Sequence, residues 1–494
     1  MTTSHYDLVI AGTHLPGLIL GALCAKRGYR TLVTGSGCED NQYAWGEHQF
    51  SRETEFLTGF ENSPAAKEVM TGLSMALHMR SRPEKRQLAY QVLSPEGRVS
   101  VGAQEKILME ELSREYGEDV SDLVQPGVLE EADAVGNFLE EHPPLPAESW
   151  GEKREFTKLL ESHPRIANHE RILDPLRYLQ ESTPLRGFWE VPLRFSSRME
   201  QGRASALPRL RNFDHLRAGV FDVKGGLDAL REGFIGKVRQ YSCDYRPEIQ
   251  FHAFRLKRGK VVEAMVQDRR ESVGCNFIVC NREEKGFFNL IAPEDRKERY
   301  HHRIHSLSAT HNVFTVNIAI HPEGVPVGLS EHAFLVGDFG LPLEDDNVIH
   351  LMRREGQGKK GAVVLTASCH LKSRHLLPSV SFIQEMTHKV LKAIRERLLP
   401  FLDEHLLTVH CPWLELDPIS GESTFAQHHV RSLYNSAHDS LLQDSPLPIV
   451  TDYKNVLLCN RNSHSGLGLE GAFLSALNAY RIIEARMPLK SPLR

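Results

Sequence analysis

Tyr6 to Ile10 alternates polar and apolar positions and is rich in β-formers, Gly12 to Gly17 reads as a turn, and Leu18 to Lys26 carries helical spacing. Gly28 is a helix stop and Thr31-Leu32-Val33 a second strand, so the chain opens β-turn-α-β. From residue 50 to about 215 the pattern is mostly helical and charged, broken at Pro143-Pro144 and Pro184. Within it Glu105 to Glu141 is acidic and amphipathic, the signature of a solvated helical face. Past residue 225 the period changes. A helical segment over Leu227 to Arg239 is followed by β-like runs at Ile249-Gln250-Phe251, Val261-Val262 and Phe277-Ile278-Val279-Cys280. A strand-rich block begins near Asn312 and includes Val363-Val364-Leu365, and an amphipathic helix covers Ser381 to Leu402 until Pro400 frays it. The strand Val456-Leu457-Leu458, a glycine turn and a helix from Ala472 to Arg486 close the pattern. No period of solenoid length recurs.

Composition narrows the classes. With 494 residues, 41% hydrophobic and 25% charged, the chain is of ordinary globular usage and long enough for several domains. A net charge of −5 gives no global basic field for nucleic acid. A mean hydropathy of −0.34 and the lack of a long apolar run exclude spanning helices. The eight cysteines are scattered with no Cys-x-x-Cys pair, and the apolar run at Leu8 is a strand rather than a secretory signal; together they point to the reducing cytoplasm.

Gly12-Thr13-His14-Leu15-Pro16-Gly17 stands where a dinucleotide-binding turn belongs, between a strand and a helix. There the first glycine makes the tight turn, the second admits the pyrophosphate and the third lets helix and strand pack. Gly12 and Gly17 are present, but the middle position is His14, and the end of the second strand holds Thr34-Gly35 in place of a ribose-binding acid. At the other end, Gly466-Leu467-Gly468-Leu469-Glu470-Gly471-Ala472 follows a strand and opens a helix, whose free N–H groups favour an anion.

This C-terminal run resembles the flavin motif of the two-dinucleotide-binding-domain flavoproteins, closest to the amine oxidase and phytoene desaturase branch. Val223-Lys224-Gly225-Gly226-Leu227 is similar to that family's mid-chain Gly-Gly segment. Glu248 to Asn281 is similar to its adenine-side meander, and Ser306 to Ile320 to the first strand of its substrate domain. Departures are His14, Gly35, a loop at Ser36 to Tyr43 without the family's Arg-x-x-Gly-Gly pattern, and Asn460-Arg461 where the family carries Gly-Asp. Arg461 exchanges an acid for a bidentate anion donor. The opening with Thr13 is also similar to that of Rab GDP-dissociation inhibitors and escort proteins, a flavin-free lineage on this scaffold.

His301 and His305 are spaced to share a helix face near His302 and His311, but without a His-Glu-x-x-His pattern or a cysteine pair no metal site is expected there, at His370 or at His428-His429. His464 lies in the last glycine turn, beside a ligand or simply in a solvated loop. Cys280 and Cys459 end apolar strands and read as inert thiols. The basic face Lys389, Lys392, Arg395 and Arg397 reads as the solvated side of a core helix, with docking on a membrane surface as its alternative. No Gly-x-Ser-x-Gly elbow supports serine hydrolysis.

The expected fold is α/β: a FAD/NAD(P)-binding Rossmann-like doubly wound domain from residues 1–45, 216–300 and 450–490, interleaved with a mixed α+β substrate and helical domain from 46–215 and 301–449. The resemblance implies a FAD-dependent oxidoreductase acting on an apolar or amine-bearing small molecule. Its cofactor contacts would be Gly12, Thr13, His14 and Gly17 at the pyrophosphate, Gly225 and Gly226 on the flavin side, Arg461, and Gly466, Gly468, Glu470, Gly471 and Ala472 at the ring and phosphate. No catalytic acid or base is named by it. The alternative is a flavin-free binding or regulatory protein with a protein partner.

Overall fold

A computed structural model describes residues 4–35, 41–60, 62–75, 83–85, 88–102, 105–117, 126–141, 150–168, 184–199, 206–223, 226–267, 271–355, 361–373, 378–417, 419–435 and 442–489. The elements that place the site are, along the chain, β1 (Ser4–Ala11), α1 (Leu15–Arg27), β2 (Thr31–Thr34), β3 (Leu88–Leu93), β4 (Arg98–Gly102), α2 (Pro184–Ser196), α3 (Ala206–Ala218) and α4 (Gly226–Gln240). After these come β5 (Asp244–Arg246), β6 (Phe251–Lys257), β7 (Lys260–Val266), β8 (Ser272–Cys280), β9 (His311–Ile320), β10 (His332–Val336), β11 (Val348–Glu355) and β12 (Val363–Lys372). The last are α5 (Val380–Arg397), β13 (Leu406–His410), β14 (Arg431–Leu433), β15 (Val456–Leu458) and α6 (Gly468–Arg486).

A seven-stranded sheet runs β6-β7-β8-β1-β2-β5. β8 lies parallel to β1 along one edge; its other edge is shared by antiparallel β7 at Ser272 to Gly274 and parallel β15 at Ile278 to Cys280. β1 is buried on both faces, with Leu8, Val9 and Ile10 fully enclosed, so the alternation read over Tyr6 to Ile10 gives way to a continuous apolar run, as parallel pairing on both edges favours. α1 begins with Pro16 in its first turn and ends at left-handed Gly28, whose N–H bonds back to the last carbonyls. α1 packs against both α4 and α6.

Asn281, just beyond β8, ties three strand ends together. Its N–H donates to the Ala11 carbonyl, and its amide donates to the Cys459 carbonyl after β15. Gly12, at φ +131°, lies so close that a Cβ would sit 2.0 Å from the Asn281 carbonyl oxygen. A Cβ on Gly17 would sit 2.2 Å from the Asn281 side chain. The outer glycines of the first turn are therefore required by packing, with or without a ligand.

The second sheet, of eight strands, runs β13-β9-β12-β11-β10-β3-β4, with β14 pairing β9. β3 and β4 fall in the stretch expected to be mostly helical, as does the strand at 83–85. The correction has a physical reason: β3 pairs with β10, about 240 residues away, so long-range pairing overrides a locally charged pattern. α5 buries Ile383, Met386, Val390 and Ile394 against this sheet. Its basic face is met by acids, Lys389 with Glu385, Lys392 with Glu396 and Arg395 with Asp403. Among the described residues no helix is long and apolar enough to cross a membrane.

Candidate functional site

The first and last glycine turns meet in one cleft of about 190 Å³. His14, Leu15 and Pro16 of the first turn line it with Asn460, Arg461, Ser463, Gly468, Leu469 and Ala472 of the last. Phe195 and Arg198 from the end of α2, Val313 and His370 of the second sheet, and Arg431 and Leu433 on β14 form the opposite wall. Glu53, Glu55, Asp228 and Arg231 complete it.

His14 is the N-cap of α1, in extended geometry, without a side-chain cap bond, and the first helical turn carries no acid. Its Nδ1 is buried with no hydrogen-bond partner among the described residues. Burial, reinforced by the charges of Arg461, Arg431, Arg231 and Arg198, holds the imidazole well below its usual pKa, so it is neutral at pH 7. Thr13 is buried and gives its carbonyl to Arg231 Nε at 3.2 Å.

Arg461 follows β15. Burial and then the charges of Arg431 and Arg198 bring its pKa down to about 10. Burial works to raise the carboxyl of Glu53, but Arg198, Arg431 and Arg461 outweigh it and hold it below its usual value. Arg198 grips Glu53 with both terminal nitrogens, at 2.6 and 3.3 Å. Neighbouring Asn460 is spent internally, donating to the Arg282 carbonyl at 2.9 Å and to Glu284 at 2.8 Å.

The last turn is held mainly by the protein itself. The Gly466 N–H donates to the Asp444 carbonyl at 2.8 Å, and its own carbonyl accepts from Asn212 at 2.6 Å. A Cβ on Gly468 would lie 2.2 Å from the Ser196 carbonyl oxygen, and one on Gly471 would lie 1.9 Å from that of His464. Glu470 does not line the cleft. Its carboxylate is buried against Arg211, at 2.8 and 2.9 Å, and His215, at 2.9 Å. Burial raises this carboxyl, yet Arg211 and His215 hold it well below the usual range. His464 uses Nδ1 on Asp444, at 2.8 Å, and Nε2 on Asn478, at 3.2 Å, so it is a structural residue and not a free loop imidazole.

The mid-chain glycines divide. Gly225 lies outside the described residues, as do the loop at 36–40 and Pro143-Pro144. Gly226, at φ +68°, abuts the Glu55 carboxylate, which also accepts from the Leu227 N–H at the start of α4 and pairs with Arg354 at 2.8 Å. The end of β2 explains its missing acid: a Cβ on Gly35 would stand 1.5 Å from the Pro247 carbonyl oxygen.

Sequence reasoning missed Arg198, Arg431 and Glu53, since no local motif marks them; only the fold carries them to Arg461. It also missed that His428 and His429 present Nε2 to Glu415, at 3.2 and 2.7 Å. Arg52 Nη1 stands 2.8 Å from the same His429 nitrogen, so a guanidinium already supplies positive charge there. His301 and His305 do share a helix face, their ring centroids 4.3 Å apart. Cys280 and Cys459 are buried, and burial raises both thiols, which makes them inert.

No protein-family model matches the sequence, and no curated protein matches it either. Solved structures do. An oxidoreductase from Methanosarcina mazei aligns with TM-score 0.57 at 11% identity, over 96% of this chain and 100% of the other. Putrescine oxidase bound to putrescine aligns with TM-score 0.56 at 12% identity, over 98% and 100%. Cyclohexylamine oxidase from Brevibacterium oxydans aligns with TM-score 0.54 at 11% identity, over 98% and 100%. The sheet order, the paired glycine turns and these likenesses together show that the chain has the Rossmann-like α/β fold of these oxidases.

Proposed function

We propose that the chain is a FAD-dependent oxidoreductase whose dinucleotide lies between the first and last glycine turns. The observation that carries this reading is the convergence on one cleft of two helix starts, α1 and α6, neither closed by a side-chain cap. Bare N–H groups and the positive helix end favour a phosphate. The orphaned Nδ1 of His14 stands at the same pole and would add a donor.

The residues present fit the group at its phosphates and less well at its ribose. Gly35 leaves no room for a side chain beside Pro247, so that position supplies no carboxylate to the ribose hydroxyls. The flavin supplies the hydride chemistry when bound. The chain's own part is to orient it and to keep water from the reacting face, and Phe56, Leu57, Phe195, Val313 and Leu433 give the cleft the apolar wall that this needs. That wall also supports an apolar body on the substrate.

The test is optical. Purified protein is expected to be yellow, or to become so on titration with FAD, with the absorbance bands of a bound flavin. A colourless protein that takes up no FAD overturns the reading and leaves the scaffold as a flavin-free binder.

A further inference from the structure

We propose that the small molecule entering this cleft carries an oxyanion head, a carboxylate or phosphate, on an apolar body, and that Arg461 receives that head. That this molecule is a substrate rests on the oxidoreductase reading; its anionic head follows from the charges of the cleft alone. Four arginines line it, Arg198, Arg231, Arg431 and Arg461, against three carboxylates, Glu53, Glu55 and Asp228.

Each carboxylate is already engaged. Glu53 is held by Arg198. Asp228 accepts from the N–H groups of Asn41 and Gln42, at 3.0 and 2.8 Å, and pairs with Arg231 at 3.2 Å. Glu55 takes Arg354 from outside the cleft, the Leu227 N–H and the Asn41 amide. Among the described residues Arg461 has no hydrogen bond or ion pair of its own, although its side chain is only partly exposed and lies beside other guanidinium groups.

A desolvated cation among like charges is expensive unless an anion reaches it. Its planar fork of N–H donors matches a carboxylate or phosphate in two parallel bonds. Arg431 stands opposite Val313 in the β14–β9 pairing, so the charged pole adjoins the second sheet and the apolar wall. An ammonium group placed there would meet repulsion.

The experiment uses the full chain, with and without added FAD, and three probes of one apolar length: hexanoate, hexyl phosphate and hexylamine, followed by isothermal titration. Binding of one or both anions and not of the amine is expected, and which anion binds more tightly separates a carboxylate substrate from a phosphate ester. R461Q, checked for native circular dichroism, should weaken the anion at least tenfold, while R461K should recover part of the loss. The proposal is overturned if hexylamine binds more tightly than both anions, or if R461Q binds the anions as the parent does. It is also overturned if FAD displaces the anion mole for mole and R461Q weakens FAD instead, because Arg461 then serves the cofactor. Failure of the flavin reading is seen separately, as no FAD uptake by the parent chain while the anion titration still reports.

Discussion

The first glycine turn, residues 12–17, and the last, residues 466–471, meet at one cleft but divide the labour differently. The first spends its glycines on the strand end at Asn281 and turns inward an imidazole whose Nδ1 has no partner among the described residues. The last folds nearly all of its polarity back into the protein, Glu470 onto Arg211 and His215, His464 onto Asp444, and Gly466 onto Asp444 and Asn212. The stretch that most resembles a flavin motif is thus largely scaffold. The groups left to meet a ligand, His14 and Arg461, are the ones that depart from the motif. A glycine pattern reports how helices and strands must approach each other; what the cleft binds is written in the side chains between.

The largest way to break the last turn is Glu470→Gln. It leaves Arg211 with Asp214, at 3.0 Å, as its remaining carboxylate partner and should cost about 3 kcal/mol, the low end for a broken buried pair, read as a lowered urea midpoint. The sign of the pH dependence follows from a depressed carboxyl. The stabilisation is complete above the ordinary carboxyl range and drains away as pH falls through the folded-state value, so the parent should lose stability in acid more steeply than the variant.

Gly12→Ala and Gly468→Ala come next. Both positions have positive φ and backbone oxygens within 2.2 Å of a new Cβ, and each should lose about 2 kcal/mol or more. If only one unfolds more readily in a thermal melt, the turns are not equal partners in the scaffold. Gly35→Asp sharpens the point, since it restores an acid for the ribose. Crowding against Pro247 should lower the melting temperature, by about 1–3 kcal/mol of stability, with no gain in FAD affinity. A tighter complex would mean that the strand end can open.

The smallest expected effect is the one nearest the ligand. His14→Gly should leave stability almost unchanged and weaken FAD about tenfold, the worth of one hydrogen bond to a charged group, measured by quenching of flavin fluorescence. Tighter binding would make the imidazole an obstacle.

Much of the first sheet was legible because its signals are local: the continuous apolar run of β1, the proline and glycine that bound α1, and the strand-turn-helix of β15 and α6. The second sheet was legible only from β9 onward. β3 and β4 are short, and their partners lie far along the chain, so neither period nor composition marks them. Of the cleft's lining, Gly468 and Ala472 of the last turn were legible, and so were His14 and Arg461, each an oddity within a motif. Its opposite wall was not, because Arg198, Glu53 and Arg431 become neighbours only through two sheets and the helices between them.

The knot at Asn281 has a consequence for how the molecule is made. The carbonyl that it captures after β15 belongs to Cys459, whereas the one that it answers at β1 belongs to Ala11. On a ribosome the sheet begun at β1 stays incomplete until β15, Val456–Leu458, has been made, and until then the edge of β8 at Ile278 to Cys280 is open to wrong partners. Synthesis of this protein should therefore depend on holding factors in a way that refolding of the finished chain, with every strand already in hand, does not.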